Sequence, residues 1–461
     1  MHSPRLRLTA LFFAALALAA CSSEPKASPD AGPSDTSADA PGPGDAPNTL
    51  DVARDTKGAN DTDAQPLNPP SFAERTRPGR WLRGDFHVHS VGASNDTGPE
   101  SLPARIKEVA IARGLDLVVL TDHSNSTGSD ATTRDEDPDL FNQGPEFTHW
   151  ELTRTLSDEN FLMVQGNELS PVNPNTSLPT GHIGCFPRTL NDFDPDVAFI
   201  DRPQGDVSGG SALQQALDVG CFAIINHPFG PTNWISYDWT ALNYDGIEVF
   251  NGGAGFNQFD RLAVDAWACD IANGKRTTAM GGSDNHRVDI VPPGTVLDPP
   301  LAHPTTFVWA EALDWPQVIA SLERGRVTIS DTGSPLELDV HAADGAWLAM
   351  IGDSIDAPQA RWGRIRGALH ALPVHHRNVR HLRLYRIRAG ACEDLREPNR
   401  IVAPKPNLEL LHDEIIASDS SFDIAVHLEL APGDAIFALL AHDIPSLLHY
   451  GAAVSNAVHA H

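Results

Sequence analysis

Six histidines and three carboxylates of this chain recur at one kind of place, just after a short apolar run. Asp85-Phe86-His87-Val88-His89-Ser90 follows Trp81-Leu82. Residues i and i+2 of a strand project to the same side, so the imidazoles of His87 and His89 can meet one ion. Thr121-Asp122-His123 closes the run Leu115–Leu120, and Glu168 closes Phe161–Gly166. His182 lies in Gly181-His182-Ile183-Gly184, and His227 in Asn226-His227-Pro228 after Ala223–Ile225. Ser283-Asp284-Asn285-His286 follows Thr277–Met280. Any one of these histidines alone reads more simply as a surface or capping residue; several independent coincidences of this kind carry the weight. Mixed imidazole and carboxylate donors suit Zn, Mn or Fe rather than Ca or Mg, which prefer all-oxygen shells. The set exceeds what one tetrahedral ion needs, so two or three ions are expected. A cluster of that kind makes hydroxide at neutral pH and clamps a tetrahedral transition state. No serine nucleophile elbow, P-loop or dinucleotide fingerprint competes with it.

The elements that must position these residues alternate along the chain from Trp81 to about Ser330. A helical pattern over Leu102–Arg113 breaks at Gly114 and leads into the strand-like Leu115–Leu120. Ala212–Val219 with Gly220 leads in the same way into Phe222–Ile225. Gly246–Phe250 is a further short run, Ala263–Asn273 with Gly274 precedes the strand-like Thr277–Gly282, and Pro316–Arg324 with Gly325 precedes Val327–Ser330. Buried runs alternating with helices imply parallel strands joined by crossover helices, and the C-terminal strand ends of an α/β barrel converge on one face. After about Pro335 the period becomes two, in Leu336–His341, Leu382–Ile387 and Phe422–Leu430. The Pro432-Gly433-Asp434 turn then leads into Ala435–Ala441. A β-rich C-terminal domain over residues 335–461, antiparallel and sandwich-like, follows from that texture.

The 461 residues carry 33 Lys+Arg against 61 Asp+Glu, a net charge of −28. So acidic a chain is poorly suited to nucleic acid, where cations must displace phosphate counterions, and to electrostatic docking on anionic lipid. The first 21 residues carry two Arg ahead of an apolar run, Leu8 to Ala20, that is short for a bilayer span. They end in Leu18-Ala19-Ala20-Cys21, which resembles a bacterial lipobox with Cys21 as the acylated residue. Ser22 resembles the signal for release to the outer membrane. Residues 22–75 are expected to form an acidic Ser/Pro/Ala/Asp/Gly tether, too poor in apolar side chains to offset the entropy of ordering. Beyond residue 70 the chain still carries −24. Four further cysteines, Cys185, Cys221, Cys269 and Cys392, could bridge in an oxidising compartment, in pairs the sequence leaves open. Residues 124–160, a long insertion between two strand ends, could cap the site or be a plain surface excursion.

The ordered motifs HVHS, TDH, GNE, GHIG, NHP and SDNH over residues 81–290 resemble those of the polymerase-and-histidinol-phosphatase (PHP) superfamily. Lipidation, the NHP and SDNH forms and the appended β domain make the chain most similar to its carbaryl-hydrolase-like (CehA/McbA) branch. The resemblance implies a distorted seven-stranded β/α barrel over residues 76–334 with a trinuclear centre. His87, His89, Glu168 and Asp284 would hold the first metal. His123, His286 and Asp96 would hold the second, although Asp96 stands one residue beyond the family's usual spacing. His182 and His227 would hold the third, bridged by Glu168. Glu168, Asp284 and His286 are the expected catalytic residues. Asp122 resembles a residue that orients a ligand, with direct coordination the alternative, and Arg287 could meet a substrate anion or be a solvated loop residue. The implied activity is phosphate-ester hydrolysis of a small molecule by a metal-bridging hydroxide. Carbamate or carboxylic ester hydrolysis at the same site is one alternative, and a non-catalytic surface binding lipoprotein another. Substrate, metal identity and oligomeric state stay open.

Overall fold

A computed structural model of the chain describes residues 68–461 apart from 95–96, 124–145, 170–180, 198, 200–207, 231–242, 253–254, 293, 296–297, 370–379, 391, 393–404, 418–419 and 444–450. Cys21, Asp96 and most of the 124–160 insertion therefore lie outside the described residues; of that insertion, residues 146–160 are described and carry one short helix.

The first half contains ten strands and five α-helices among the described residues. In chain order they are β1 (Arg80–Val88), α1 (Pro103–Ala112), β2 (Leu117–Leu120), α2 (Trp150–Leu156), β3 (Leu162–Gln165), β4 (Asn167–Leu169) and β5 (His182–Pro187). There follow α3 (Gly209–Asp218), β6 (Cys221–Asn226), β7 (Gly246–Asn251), α4 (Gln258–Ala272), β8 (Thr278–Gly282), β9 (Thr305–Ala310), α5 (Trp315–Arg324) and β10 (Val327–Ser330). The fold is mixed α/β. β1–β2–β3 and β6–β7–β8 pair in parallel, as buried apolar runs after helices require. The expectation of parallel pairing throughout needs correction: β4–β5–β6 is antiparallel, and β9 runs antiparallel to both β1 and β10. The β5–β6 pair is antiparallel even though α3 lies between the two strands in sequence, so a helix between strands does not by itself impose a parallel crossover here. Isolated parallel bridges Val88–Asn285 and His123–Glu168 join the ends of the two sheets at the histidine-bearing end.

Local chemistry sets the helix limits. α4 starts at Gln258, five residues ahead of the apolar pattern, because Asn257 and Asp260 form a reciprocal capping box. α5 begins on Asp314, whose carboxylate accepts from Gln317 N, and ends at left-handed Gly325. Cys269 on α4 bonds to Cys392, and Cys185 on β5 to Cys221 on β6.

Among the described residues the second half carries one 3₁₀ turn, Ala357–Gln359, and ten strands: β11 (Glu337–His341), β12 (Trp347–Met350), β13 (Ser354–Ile355), β14 (Trp362–Ala368), β15 (Arg380–Ile387), β16 (Leu408–Ile416), β17 (Ser421–His427), β18 (Ala435–His442), β19 (Ala453–Ser455) and β20 (Val458–Ala460). β12–β11–β14–β17 form a separate four-stranded sheet. β13, β15, β16 and β18–β20 instead continue the large sheet of β10, β9 and β1, with β10 pairing β19. Every residue of β18 is buried because the strand serves two cores. Ala435, Phe437, Leu439 and Ala441 face the first-half core, where Phe437 meets Trp267 edge-on at 5.1 Å. Ile436, Ala438 and Leu440 face the layer between the two C-terminal sheets, with Leu338, Ile365 and Leu384.

The segment entering β1 is strapped to the four-stranded sheet. Arg75 pairs with Asp339 at 2.9 Å and Glu337 at 2.8 Å and lies 4.3 Å over the Trp309 ring. Arg77 pairs with Asp353.

Candidate metal centre

β1 delivers Asp85, His87 and His89 to one side at two-residue spacing. Asp85 accepts from the backbone N–H groups of Ser283 at 3.0 Å and Ala302 at 2.7 Å, so it ties the histidine strand to the loop after β8. The close approach of β8 requires glycine: a Cβ on Gly282 would sit 2.3 Å from that of His87. His227 and Asp284, at strand ends, adopt φ of 26° and 53°. Non-glycine residues in this region are uncommon and concentrate where surrounding structure holds a functional side chain in place.

Glu168, fully buried on β4, is the hub. Its Oε1 lies 3.1 Å from His87 Nε2, 3.1 Å from His182 Nδ1 and 3.2 Å from His227 Nε2, and accepts from Asn226 Nδ2 at 2.9 Å. Its Oε2 lies 3.2 Å from His123 Nδ1 and 3.5 Å from His89 Nε2. Asp284 Oδ1 stands 3.1 Å from His89 Nε2 and 3.3 Å from His87 Nε2. The His286 ring stacks on His89 with centroids 4.0 Å apart. Four triads bring their donor atoms within 4.8 Å of one another: His89–His123–His286, His87–His89–Asp284, His87–Glu168–His227 and His123–Glu168–His182. The structure thus gathers His87, His89, His123, Glu168, His182, His227, Asp284 and His286 in one place. His87 and His123 each take part in two triads, so the donors are shared rather than divided into separate sets.

The donors fit divalent cations on their own geometry. His87 Nε2 is buried and makes no hydrogen bond, although two carboxylate oxygens lie within 3.3 Å. Oxygens crowd beside this nitrogen without lying on a hydrogen-bond axis. Donor separations of about 3.3 Å are the edges of a tetrahedron with metal bonds of about 2.0 Å.

The electrostatics agree. In the metal-free protein burial disfavours charge on Glu168, yet His182 and His87 hold its carboxyl well below the usual range. Asp284, also buried, is held low by His87, His89 and His286. Burial opposes protonation of His87, but Asp284, Glu168 and Glu248 raise it well above an ordinary histidine. Burial, with the neighbouring His286 and His123, pushes His89 down to about 3, and burial takes His182 down to about 4. Two ionised carboxylates beside the neutral His89 and His182, with a proton on His87 that a cation would displace, form a donor set suited to divalent ions.

Asp122 stands behind the donors: its oxygens accept from Ser90 N and Oγ, Ser94 Oγ at 3.3 Å and Gln165 Nε2 at 3.2 Å. Ser94 Oγ also contacts His89 Nδ1 at 3.0 Å and accepts from His123 N at 3.0 Å. Arg287 is half exposed and faces Glu100 and Asp298 at 4.0 and 3.7 Å. Sequence reasoning missed Glu248, Asn226 and Ser94. The available signal for Glu248 was a lone charge inside the otherwise apolar Gly246–Phe250. Asp284 and His286 are the most accessible donors, at 24% and 22%, so the centre opens on their side.

No family model matches the chain, and no curated protein matches it. It is similar to solved structures at low identity. One is a two-domain protein from Bacteroides vulgatus containing a predicted PHP-like metal-dependent phosphoesterase, 14% identical, covering 85% of this chain and 99% of that one with a TM-score of 0.38. A lesion-specific endonuclease from Pyrococcus furiosus is 15% identical over 53% of this chain and 56% of its own, TM-score 0.35. Endonuclease Q in complex with a 27-mer duplex bearing an abasic lesion is 13% identical over 53% and 57%, TM-score 0.33. At these scores the likeness carries no inference about chemistry, which rests on the donors themselves.

Proposed function

We propose that the chain is a metal-dependent hydrolase of small phosphate esters, a PHP-superfamily member of the carbaryl-hydrolase-like branch built on that family's seven-stranded barrel. The observation that carries the reading is the convergence of six imidazoles with Glu168 and Asp284 on one buried point open at the Asp284–His286 edge. His87, His89, His123, His182, His227, His286, Glu168 and Asp284 would hold two or three ions, with a nitrogen-rich set favouring Zn, Mn or Fe. Ions bound there would supply Lewis-acid stabilisation of phosphoryl oxygens and activation of water at neutral pH. Glu168 and Asp284, held ionised, contribute the negative charge that keeps cations in a buried place. Asp122 and Ser94 fix the orientation of His89 and His123. Substrate enters at the Asp284–His286 edge, where these donors meet solvent. A net charge of −28 repels polyanions at long range, which favours a small ester. We further propose that the mature chain is lipid-anchored to the bacterial outer membrane through Cys21, with residues 22–75 as its tether.

Rates on 4-nitrophenyl phosphate and 4-nitrophenyl acetate, before and after chelation, test the reaction class. Chelator-sensitive phosphate turnover exceeding ester turnover is expected. The reverse preference would reassign the centre to carboxylic or carbamic esters. Turnover of neither substrate after Mn²⁺ or Zn²⁺ is restored would point to a binding protein.

A further inference from the structure

Glu248 lies in mid-β7 and is buried, and its two oxygens face different partners. Oε1 is 3.0 Å from His87 Nδ1. Oε2 accepts from the backbone N–H of His227 at 2.9 Å and from Asn251 Nδ2 at 3.0 Å. Asn251 Nδ2 also reaches Asp284 Oδ2 at 3.3 Å. One carboxylate therefore touches two candidate ligands, His87 on β1 and His227 after β6, and is linked through Asn251 to a third, Asp284 after β8.

We infer that Glu248 is a positioning residue that sets the tautomer of His87 and holds His227 in register with it. This rests on the proposed metal centre. A carboxylate only accepts, so the Nδ1 of His87 must carry the proton. Nε2, the nitrogen that faces Glu168 and Asp284, is then left to bind a cation. Partners of this kind fix ring orientation and raise ligand basicity, and losing one lowers metal affinity about 10–100-fold.

The arrangement makes an unusual demand on a glutamine at 248. The backbone N–H of His227 is a fixed donor and Asn251 offers a second, so the amide oxygen must stay on that side. The amide NH₂ is then forced against His87 Nδ1, which can accept only if the ring proton moves to Nε2. That proton points into the metal centre. Glu248→Gln, though nearly isosteric, inverts the tautomer. Glu248→Ala merely releases it and leaves either form accessible. Gln should therefore harm metal binding more than Ala does, the opposite of what a purely structural role predicts.

The test is Mn²⁺ binding to the full-length wild-type, E248Q and E248A proteins, by equilibrium dialysis with metal counting, alongside the melting temperature of each metal-free protein. The expected result is a metal-free E248Q that still unfolds in one cooperative transition and binds Mn²⁺ 10–100-fold more weakly at one site, with E248A intermediate. Wild-type affinity in E248Q, greater loss in E248A than in E248Q, or an E248Q chain that does not fold would each overturn the inference. A wild-type protein that takes up no Mn²⁺ would instead remove the metal-centre reading beneath it.

Discussion

Replacing Glu168 by Gln isolates the residue on which the centre depends. Glu168 belongs to two of the four donor triads, His87–Glu168–His227 and His123–Glu168–His182, and is absent from the other two. Loss of its charge should weaken the ions sharing it while leaving the His89–His123–His286 and His87–His89–Asp284 triads intact. Four-ligand zinc sites bind with about 10–16 kcal/mol, so one ligand is worth roughly 3–4 kcal/mol, or a 10²–10³-fold change in affinity. At metal 1,000-fold above the dissociation constant, each bound ion stabilises the fold by about 4.1 kcal/mol; after such a weakening about 0.4–1.4 kcal/mol remains. Two affected ions therefore cost about 5–7 kcal/mol. A folded body of about 400 residues unfolds with an entropy near 0.8 kcal/mol/K, so the metal-induced rise in melting temperature should shrink by about 6–9 °C. The increment is the quantity to compare, because Glu168 is held ionised in the metal-free protein and its removal also lowers the baseline. Differential scanning calorimetry with and without Mn²⁺, combined with metal counting, reads both effects. An E168Q protein with the full wild-type increment, metal count and turnover would refute the reasoning.

Two further outcomes follow from groups away from the centre. Asp331 is buried with Oδ1 accepting from Gly451 N at 2.8 Å and Ala452 N at 2.7 Å, and burial, only partly offset by these bonds, pushes its carboxyl up to about 7. The stability of an acid with a raised pKa is full below the ordinary carboxylate range and is lost as pH rises through the folded value. Asp331 should therefore remove about 1.4 kcal/mol between pH 6 and pH 8. D331N, which keeps the accepting oxygen without a titrating proton, should flatten the pH dependence of urea unfolding by that amount, and an unchanged slope would contradict the assignment. Radiolabelled palmitate should enter the wild-type chain in bacteria and not C21A; equal labelling of both would remove the anchor.

Much of the site was legible because its donors follow apolar runs whose period identifies strand ends. β2, β6, β8 and β10 each lie within a residue or two of an apolar run in the sequence, and the donors after β2, β6 and β8 converge. Glu248 was hidden for a physical reason: its role appears only when the fold brings its side chain against His87, 161 residues away in sequence. The antiparallel excursion of β4 and β5 was equally illegible, since Asn167–Leu169 is too short to show a period and His182–Pro187 contains Gly and Pro. In the C-terminal half, alternation placed β11, β15 and β17, and the Pro432-Gly433-Asp434 turn placed the start of β18. Alternation could not show that β18 to β20 extend the large sheet, because that pairing is specified by contacts across more than a hundred residues with β10. The disulfide partners needed the fold as well: Cys269 and Cys392 are 123 residues apart.

The central claim is that these donors bind catalytic metal ions. Full-length protein purified without chelator, stripped, and then titrated with Mn²⁺ should gain 4-nitrophenyl phosphate turnover in step with loading and saturate at two or three ions per chain. Uptake of no ion at saturating Mn²⁺, or turnover in the stripped protein equal to that of the loaded one, would contradict it.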